Sequence, residues 1–393
     1  MAELFHMSDV FHSNTADKKK TRIMLITVAL VLVVGIGVLM TVSYFYNNRC
    51  FNSFHVENSI ARGDSNSAAY CYFQGDLLKY SRNGISALTN TGKSLWNGGY
   101  EMKLPQVDTC GNYVVVADAM GKQFYVYNGQ DEGRKIETAL PLKRAKVSGN
   151  GVIAALLQDT DSNVLNLYNP YSSTDNLLIE IPTNVDEEGY PLDFDISPDG
   201  SSIVAAYMTT SGVTVENRVS FYNFTAVGQD KNTLVGGKSF GEAMISGIEF
   251  LSEDEAAVFF ENGFSVFTKM KKPEILFEKK FDETIRSIAY DENHIAVVTE
   301  PSEEEKRALH VYSKQGRELL NRVISYEYSD MKIYGDEIIF SGSHHCNIIR
   351  LNGRDKLNCE IDKGADAIFP TGNDSIYTLV SLDSIEKIKI EMK

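Results

Sequence analysis

A short run of apolar, strand-forming residues recurs seven times along this chain, and that recurrence limits the folds open to it. The runs are Tyr113-Val-Val-Val-Ala117, Val152-Ile-Ala-Ala-Leu156, Ile203-Val-Ala-Ala-Tyr207, Ala256-Ala-Val-Phe-Phe260, Ile295-Ala-Val-Val298, Glu337-Ile-Ile-Phe340 and Ile376-Tyr-Thr-Leu-Val380. Their starts lie 39, 51, 53, 39, 42 and 39 residues apart. Four short strands with their turns occupy ~40–45 residues in a propeller blade, so the spacing predicts one blade per run. A tight turn precedes each run, as at Gly111-Asn112, Asn150-Gly151, Asp199-Gly200, Gly335-Asp336 and Asn373-Asp374. Asn, Asp and Gly tolerate the positive φ that short hairpins need. A second alternating strand follows, at Phe124-Tyr-Val-Tyr127, Val164-Leu-Asn-Leu-Tyr168, Val219-Ser-Phe-Tyr222, Phe264-Ser-Val-Phe267 and Leu309-His-Val-Tyr312. The predicted class is all-β.

The N-terminal unit is weaker: Asp76-Leu-Leu-Lys-Tyr80, Gly84-Ile-Ser-Ala-Leu88 and Ser94-Leu-Trp96. The last unit runs out at Lys387-Ile-Lys-Ile390, one strand short. Closing a ring removes the unpaired sheet edges, so a strand near Phe54-His-Val-Glu57 is expected to complete the final blade. That gives a single propeller of eight blades, with seven as the alternative if the first and last units merge. Residues 208–239 hold surplus length, which predicts a protruding loop or hairpin in one blade.

Ahead of the repeats, residues 23–45 contain no charge. As a helix they measure roughly 34 Å, enough to cross a ~30 Å hydrocarbon core with some tilt. Lys18, Lys19, Lys20 and Arg22 precede the stretch and Arg49 alone follows closely, so the positive-inside rule places the N-terminus in the cytoplasm. A cleaved signal peptide has a shorter apolar core and small residues at its cleavage site, whereas Tyr44-Phe-Tyr46 ends this one. The expected organisation is a cytoplasmic tail (1–22), a transmembrane helix (23–45), a juxtamembrane tether with the ring-closing strand (46–67) and an extracytoplasmic propeller (68–393). Net charge is −15, and the acidity lies in the large domain. An acidic surface opposes binding to nucleic acid, which needs Lys and Arg to displace phosphate counterions.

Gly84-Ile-Ser-Ala-Leu88 with Thr91-Gly-Lys-Ser-Leu-Trp96 resembles the repeat of quinoprotein-type propellers, and Ser197-Pro-Asp-Gly200 before Ile203-Val resembles WD-like blades. Together with the basic tail, the single span, Gly189-Tyr-Pro-Leu-Asp193 and Val219-Ser-Phe-Tyr-Asn-Phe224, nearly the whole chain resembles membrane-anchored propellers of Gram-positive, clostridial-type bacteria. These are classed as a domain of unknown function. The resemblance implies fold and topology and brings no catalytic residue.

Local chemistry is sparse. Trp96 is the only tryptophan and no two cysteines are adjacent, which removes the quinone cradle; Trp96 is expected to pack between blades. Asp193 and Asp195 share a strand face and Asp199 belongs to a turn, a poor match to a calcium site. His344 and His345 would point to opposite faces of a strand and not chelate together. No nucleophile elbow or phosphate-binding glycine loop stands in a supporting context. Glu303-Glu-Glu-Lys-Arg307 reads as a solvated loop. No catalytic residue, cofactor or metal ligand is therefore assigned. Of five cysteines (50, 71, 110, 346 and 359), one pair is singled out. A two-residue turn at Asn352-Gly353 pairing Leu351 with Arg354 brings Cys346 opposite Cys359 at a non-hydrogen-bonded position. Cα atoms stand ~4.5 Å apart there, within disulfide range. The oxidising side of a membrane permits the bridge, whereas the anaerobic life of clostridial-type organisms argues against it. The expected function is non-catalytic: a membrane-tethered binding or scaffold module for an envelope protein, a peptide or a glycan. The alternative is an envelope glycan lyase or hydrolase whose carboxylates, drawn from different blades, converge in the channel.

Overall fold

The computed structural model describes residues 6–392 except 65–66, 131, 159–161, 186–188, 212–213, 226–233, 302–305 and 363. Of the solvated loop expected at 303–307, residues 303–305 fall outside the described residues, as does part of the surplus at 208–239; Arg307 instead opens a strand and is buried, paired with Glu300 and Glu327.

The chain forms two units, residues 1–50 and 51–393. The first is one helix, His6–Asn47, which begins well before the uncharged stretch and runs unbroken through it. Its segment Met24–Phe45 is long and apolar enough to cross a membrane, and none of it is buried. A soluble helix hides one stripe; this one is apolar on every side.

The second unit contains eight four-stranded antiparallel sheets. It is an eight-bladed propeller. Blades 1 to 7 occupy residues 69–99, 105–137, 142–184, 190–241, 245–280, 284–324 and 330–360, each with four strands in chain order from inside (A) to outside (D). Blade 8 takes its inner three strands from Ala367–Pro370, Ile376–Val380 and Ser384–Glu391. Its outer strand is Ser53–Ala61, paired with the last strand from Ser53 opposite Glu391 to Ala61 opposite Ser384. The two ends of the repeat region thus share one sheet.

The recurrent runs are the B strands, and their alanines explain the geometry. Ala154, Ala155, Ala205, Ala206, Ala256, Ala257 and Ala296 are all buried. Near the axis the blades converge, and a methyl group lets neighbouring sheets approach where a larger side chain would wedge them apart. Farther out the spacing widens and aromatics fill it. Phe221 of blade 4 meets Phe267 of blade 5 at 4.8 Å between ring centroids, inside a shared cluster with Val204, Ile248 and Val258. Trp96 of blade 1 stacks on Tyr127 of blade 2 at 5.6 Å, the inter-blade packing role expected of it.

Strand alternation puts the A–B and C–D turns on one face of the ring and the B–C and D–A loops on the other. Blade 4 departs from its neighbours on the second face. Its B and C strands, Ser202–Ser211 and Thr214–Asn223, are ten residues each. They stay paired to Ser211 opposite Thr214. The surplus length read from the sequence is therefore partly a hairpin that extends roughly 10 Å beyond the usual strand end, at ~3.3 Å per residue.

Candidate functional site

The first place to look for convergent chemistry is the axis, where all eight A strands meet. Lys146, on the A strand Leu142–Val147 of blade 3, reaches three carboxylates. Its Nζ lies 3.6 Å from Asp108 of blade 2, 3.6 Å from Asp195 of blade 4 and 3.3 Å from Glu249 of blade 5. Side chains from four successive blades can touch only beside the axis. Tyr290 of blade 6 stands beside Glu249 and is 38% exposed, so water reaches the cluster.

Two of the carboxylates also work between blades. Asp108 Oδ2 accepts the Val147 N–H of blade 3 at 2.8 Å, and Asp195 Oδ2 accepts the Phe250 N–H of blade 5 at 2.7 Å. Asp193, on the same face as Asp195, accepts the Ile248 N–H at 3.0 Å. The inner edge of an A strand has no strand beyond it, and its amides need other acceptors. The aspartates supply them and stitch neighbouring blades together.

The electrostatics follow from crowding three acids around one base. Burial opposes the charge on Lys146, but Asp195, Asp108 and Glu249 outweigh it and hold the ammonium protonated well above the ordinary lysine range. Burial pushes Asp195 well above the usual carboxylate range; Lys146 pulls it back only partly, and Glu249 and Asp108 push it further. Asp108 and Glu249 are raised in the same way, burial first. Among the described residues, no group of three His, Cys, Asp or Glu side chains is placed to hold a metal ion.

Above this level, Arg144 pairs with Asp193, and the Lys143 ammonium lies 4.1 Å from the Tyr190 ring centroid. Lys143, Arg144 and Asp193 border a cavity of about 200 Å³ that also takes in Gln106 and Leu192. The two faces differ more sharply. Exposed large apolar side chains on connecting loops are Leu104 (54%), Met120 (76%), Met244 (50%) and Leu382 (53%), all on the B–C/D–A face. The described turns of the opposite face carry none, its exposed Leu234 (54%) and Met392 (60%) standing at strand ends. Leu104 and Met120 are neighbours on blade 2, joined by the Ala119 N–H to Leu104 O bond at 2.9 Å. Asp118 fixes the loop by accepting the Lys103 and Leu104 N–H groups, each at 3.0 Å. Met120 has φ +67°, a left-handed conformation that disfavours any side chain but glycine's hydrogen.

The residues singled out from sequence do not assemble into a catalytic set. Asp199 accepts the Ser197 hydroxyl and the Ser201 N–H, so it is a turn residue as expected. His345 packs on Tyr326, 4.4 Å between ring centroids, and His344 is exposed. Cys71 and Cys110 are each raised by burial, to about 12 and about 11.

Cys346 and Cys359 are opposed, but by a different route from the one inferred. Gly353 has φ +81°, and the Arg350 N–H donates to Arg354 O at 2.9 Å. The turn therefore opposes Arg350, not Leu351, to Arg354. A bulge between Ile348 and Ile349 absorbs the one-residue offset, and Cys346 again faces Cys359. The position within the ladder is also corrected. The Ile361 N–H donates to His344 O at 3.0 Å, while the Asn358 N–H turns outward to Phe51 O at 3.1 Å. Alternation then makes 346–359 a hydrogen-bonded pair, with Cα atoms ~5.5 Å apart and not ~4.5 Å.

Sequence reading missed Lys146, Asp108 and Glu249. The signal was present: Asp108 faces Val115, Lys146 faces Ala154, Asp195 faces Val204 and Glu249 faces Ala257, all near the start of the B run. Aligning repeats on that run places the four charges at one level.

Comparison with known proteins agrees with this architecture. The sequence profile of a family of unknown function (DUF5711) matches residues 47–390. No curated protein matches the chain. Among solved structures, BamB from Moraxella catarrhalis superposes with a TM-score of 0.52 at 10% identity, covering 86% of this chain and 100% of that one. Sqt1 from Saccharomyces cerevisiae superposes at 0.53 with 13% identity, covering 88% and 100%. At such identity the likeness is one of fold.

Proposed function

The chain belongs to the DUF5711 family of unknown function, and we propose that it is a membrane-tethered, extracytoplasmic binding platform without catalytic activity. In this reading residues 1–22 are cytoplasmic, 23–45 span the bilayer, 46–67 carry the tether and the ring-closing strand Ser53–Ala61, and 68–393 present the rest of the ring outside. The apolar helix and the basic residues before it support that orientation. The partner, an envelope protein, peptide or glycan, docks on the B–C/D–A face. The observation that carries this is where exposed apolar loops lie: Leu104 and Met120 sit together on blade 2, with Met244 and Leu382 on the same face, whereas the opposite face exposes Leu234 and Met392 at strand ends and none in its described turns. The extended hairpin of blade 4 rises on the same side and widens the concave surface.

The axial carboxylates weigh against the glycan lyase or hydrolase alternative. Asp108 and Asp195 are engaged by backbone amides and all three acids close on Lys146. A general acid and base need free oxygens facing a substrate. Photo-crosslinking residues placed at Met120 and at Asn373, on opposite faces, test the proposal in intact cells. The expected result is a discrete adduct from position 120 and none from 373; adducts only from 373, or from neither, overturn it.

A further inference from the structure

From the placement of Cys346 and Cys359 we propose that they form a reversible dithiol–disulfide site, oxidised by exchange with a low-molecular-weight or protein disulfide that enters through the cleft at the rim of blade 7. The inference concerns the pair's own chemistry and stands whichever side of a membrane the ring occupies.

Four observations carry it. The two residues are directly opposed on the C and D strands of blade 7, His345–Arg350 and Asp355–Glu360. A hydrogen-bonded antiparallel pair sets their Cα atoms ~5.5 Å apart, inside the span that a disulfide bridges. Both are free thiols. Access is one-sided. Cys346 is fully buried, whereas Cys359 is 8% exposed and lines a cleft of about 470 Å³ with Phe54, His345 and Glu360.

The asymmetry fixes the order of events. Cys359 lines the cleft and meets an incoming disulfide first, while contact with Cys359 and burial hold the Cys346 thiol up. The Cys359 thiolate attacks one sulfur of R–S–S–R; the R–S–S–R bond breaks, one RS⁻ leaves, and a Cys359–S–S–R mixed disulfide forms. Cys346 then loses its proton and attacks the Cys359 sulfur, expelling the second RS⁻. Two protein thiols are oxidised, one external disulfide is reduced to two thiols, and the two cysteine protons end on those thiols.

The position gives the bridge a structural consequence. Phe51 adds to the outer edge of this D strand, its N–H donating to Lys356 O at 2.8 Å and its carbonyl accepting from Asn358 N–H at 3.1 Å. Two residues later the chain enters the ring-closing strand. Oxidation would staple to its inner neighbour the same strand that holds the lead-in to ring closure.

The test uses the full chain in detergent, reduced, then exposed to oxidised glutathione and alkylated in denaturant after acid quenching. The expected result is that three of the five cysteines label, that prior reduction restores five, and that a single cross-linked peptide joins 346 to 359. The urea midpoint of the oxidised form should rise, by roughly a hundredfold in the unfolding equilibrium for a loop of this size. Cys346→Ala should trap glutathione on Cys359, and Cys359→Ala should leave Cys346 unmodified in the folded protein. Five labelled cysteines after oxidation, or a bridge to another cysteine, would overturn the site. Glutathione on Cys346 in Cys359→Ala would overturn the order of attack.

Discussion

Lys146→Met tests whether the axial cluster holds the ring together. The lysine stands 3.3–3.6 Å from three carboxylates, and its side chain is 11% exposed. At an effective dielectric of ~20 each attraction is about 4–5 kcal/mol, most of it offset by burying the ammonium. Removing one partner from such a site typically costs about 3–5 kcal/mol, because the charges left behind have no counter-ion. Methionine keeps the volume of the stem, so packing loss is a minor part. The sign of the pH dependence separates this cause from a general defect. Without Lys146 the carboxylates are pushed further above their unfolded values, so the folded state binds more protons than the unfolded one. Stability then rises as pH falls through that window, by about 1.4 kcal/mol per pH unit for each proton taken up. Urea unfolding of the full chain in detergent, followed by the fluorescence of Trp96 against Tyr127, reads it directly. The variant should be markedly weaker than the parent at pH 8, less so at pH 5, and partly restored by adding Asp195→Asn. Equal stability at pH 8, or a deficit that does not change with pH, would refute the reasoning.

Acid should act elsewhere with the opposite sign. Burial opposes the charge on Asp64, but Tyr70, Lys79 and Arg62 outweigh it and lower its carboxyl to about 2. That stability, about 2 kcal/mol, is complete above the unfolded value near 3.8 and is lost as pH falls towards 2; Asp64→Asn should flatten acid unfolding over that interval. Phe221→Ala, which opens the blade 4–5 interface against Phe267, should cost about 3–5 kcal/mol in the same urea assay. Met120→Gly should stabilise the ring by up to about 1 kcal/mol, by relieving the left-handed backbone, while weakening capture by the photo-crosslinking partner. Protease added to intact spheroplasts should digest or release the C-terminal bulk; a C-terminus protected until lysis would contradict the proposed orientation.

The blades were legible because their signal is local and repeated. Each B run is mostly apolar, each preceding turn carries Gly, Asn or Asp, and neither depends on distant residues. Even the closing strand could be placed near Phe54, since a ring one strand short demands a donor and few segments remained. The axial cluster was not legible in the same way. Asp108, Lys146 and Glu249 are single charges in short strands, separated by up to 141 positions, and only ring geometry makes them neighbours. The cysteine pair failed at an intermediate scale. Asn352-Gly353 marks a turn, but whether the glycine begins a two-residue loop or a bulged one depends on a positive φ that Gly353 and other glycines adopt in both. A second bulge then restored the pairing and left the ladder position changed.

The strand Ser53–Ala61 is synthesised ahead of every blade, yet its hydrogen-bonding partner is the last strand of the ring to be made. During translation it must wait, edge uncovered, while more than three hundred residues emerge and fold behind it. Contacts of such sequence separation are slow to form. Ring completion is therefore a late event, and a chain truncated by a few residues at its C-terminus would hold seven finished blades and still fail to shut.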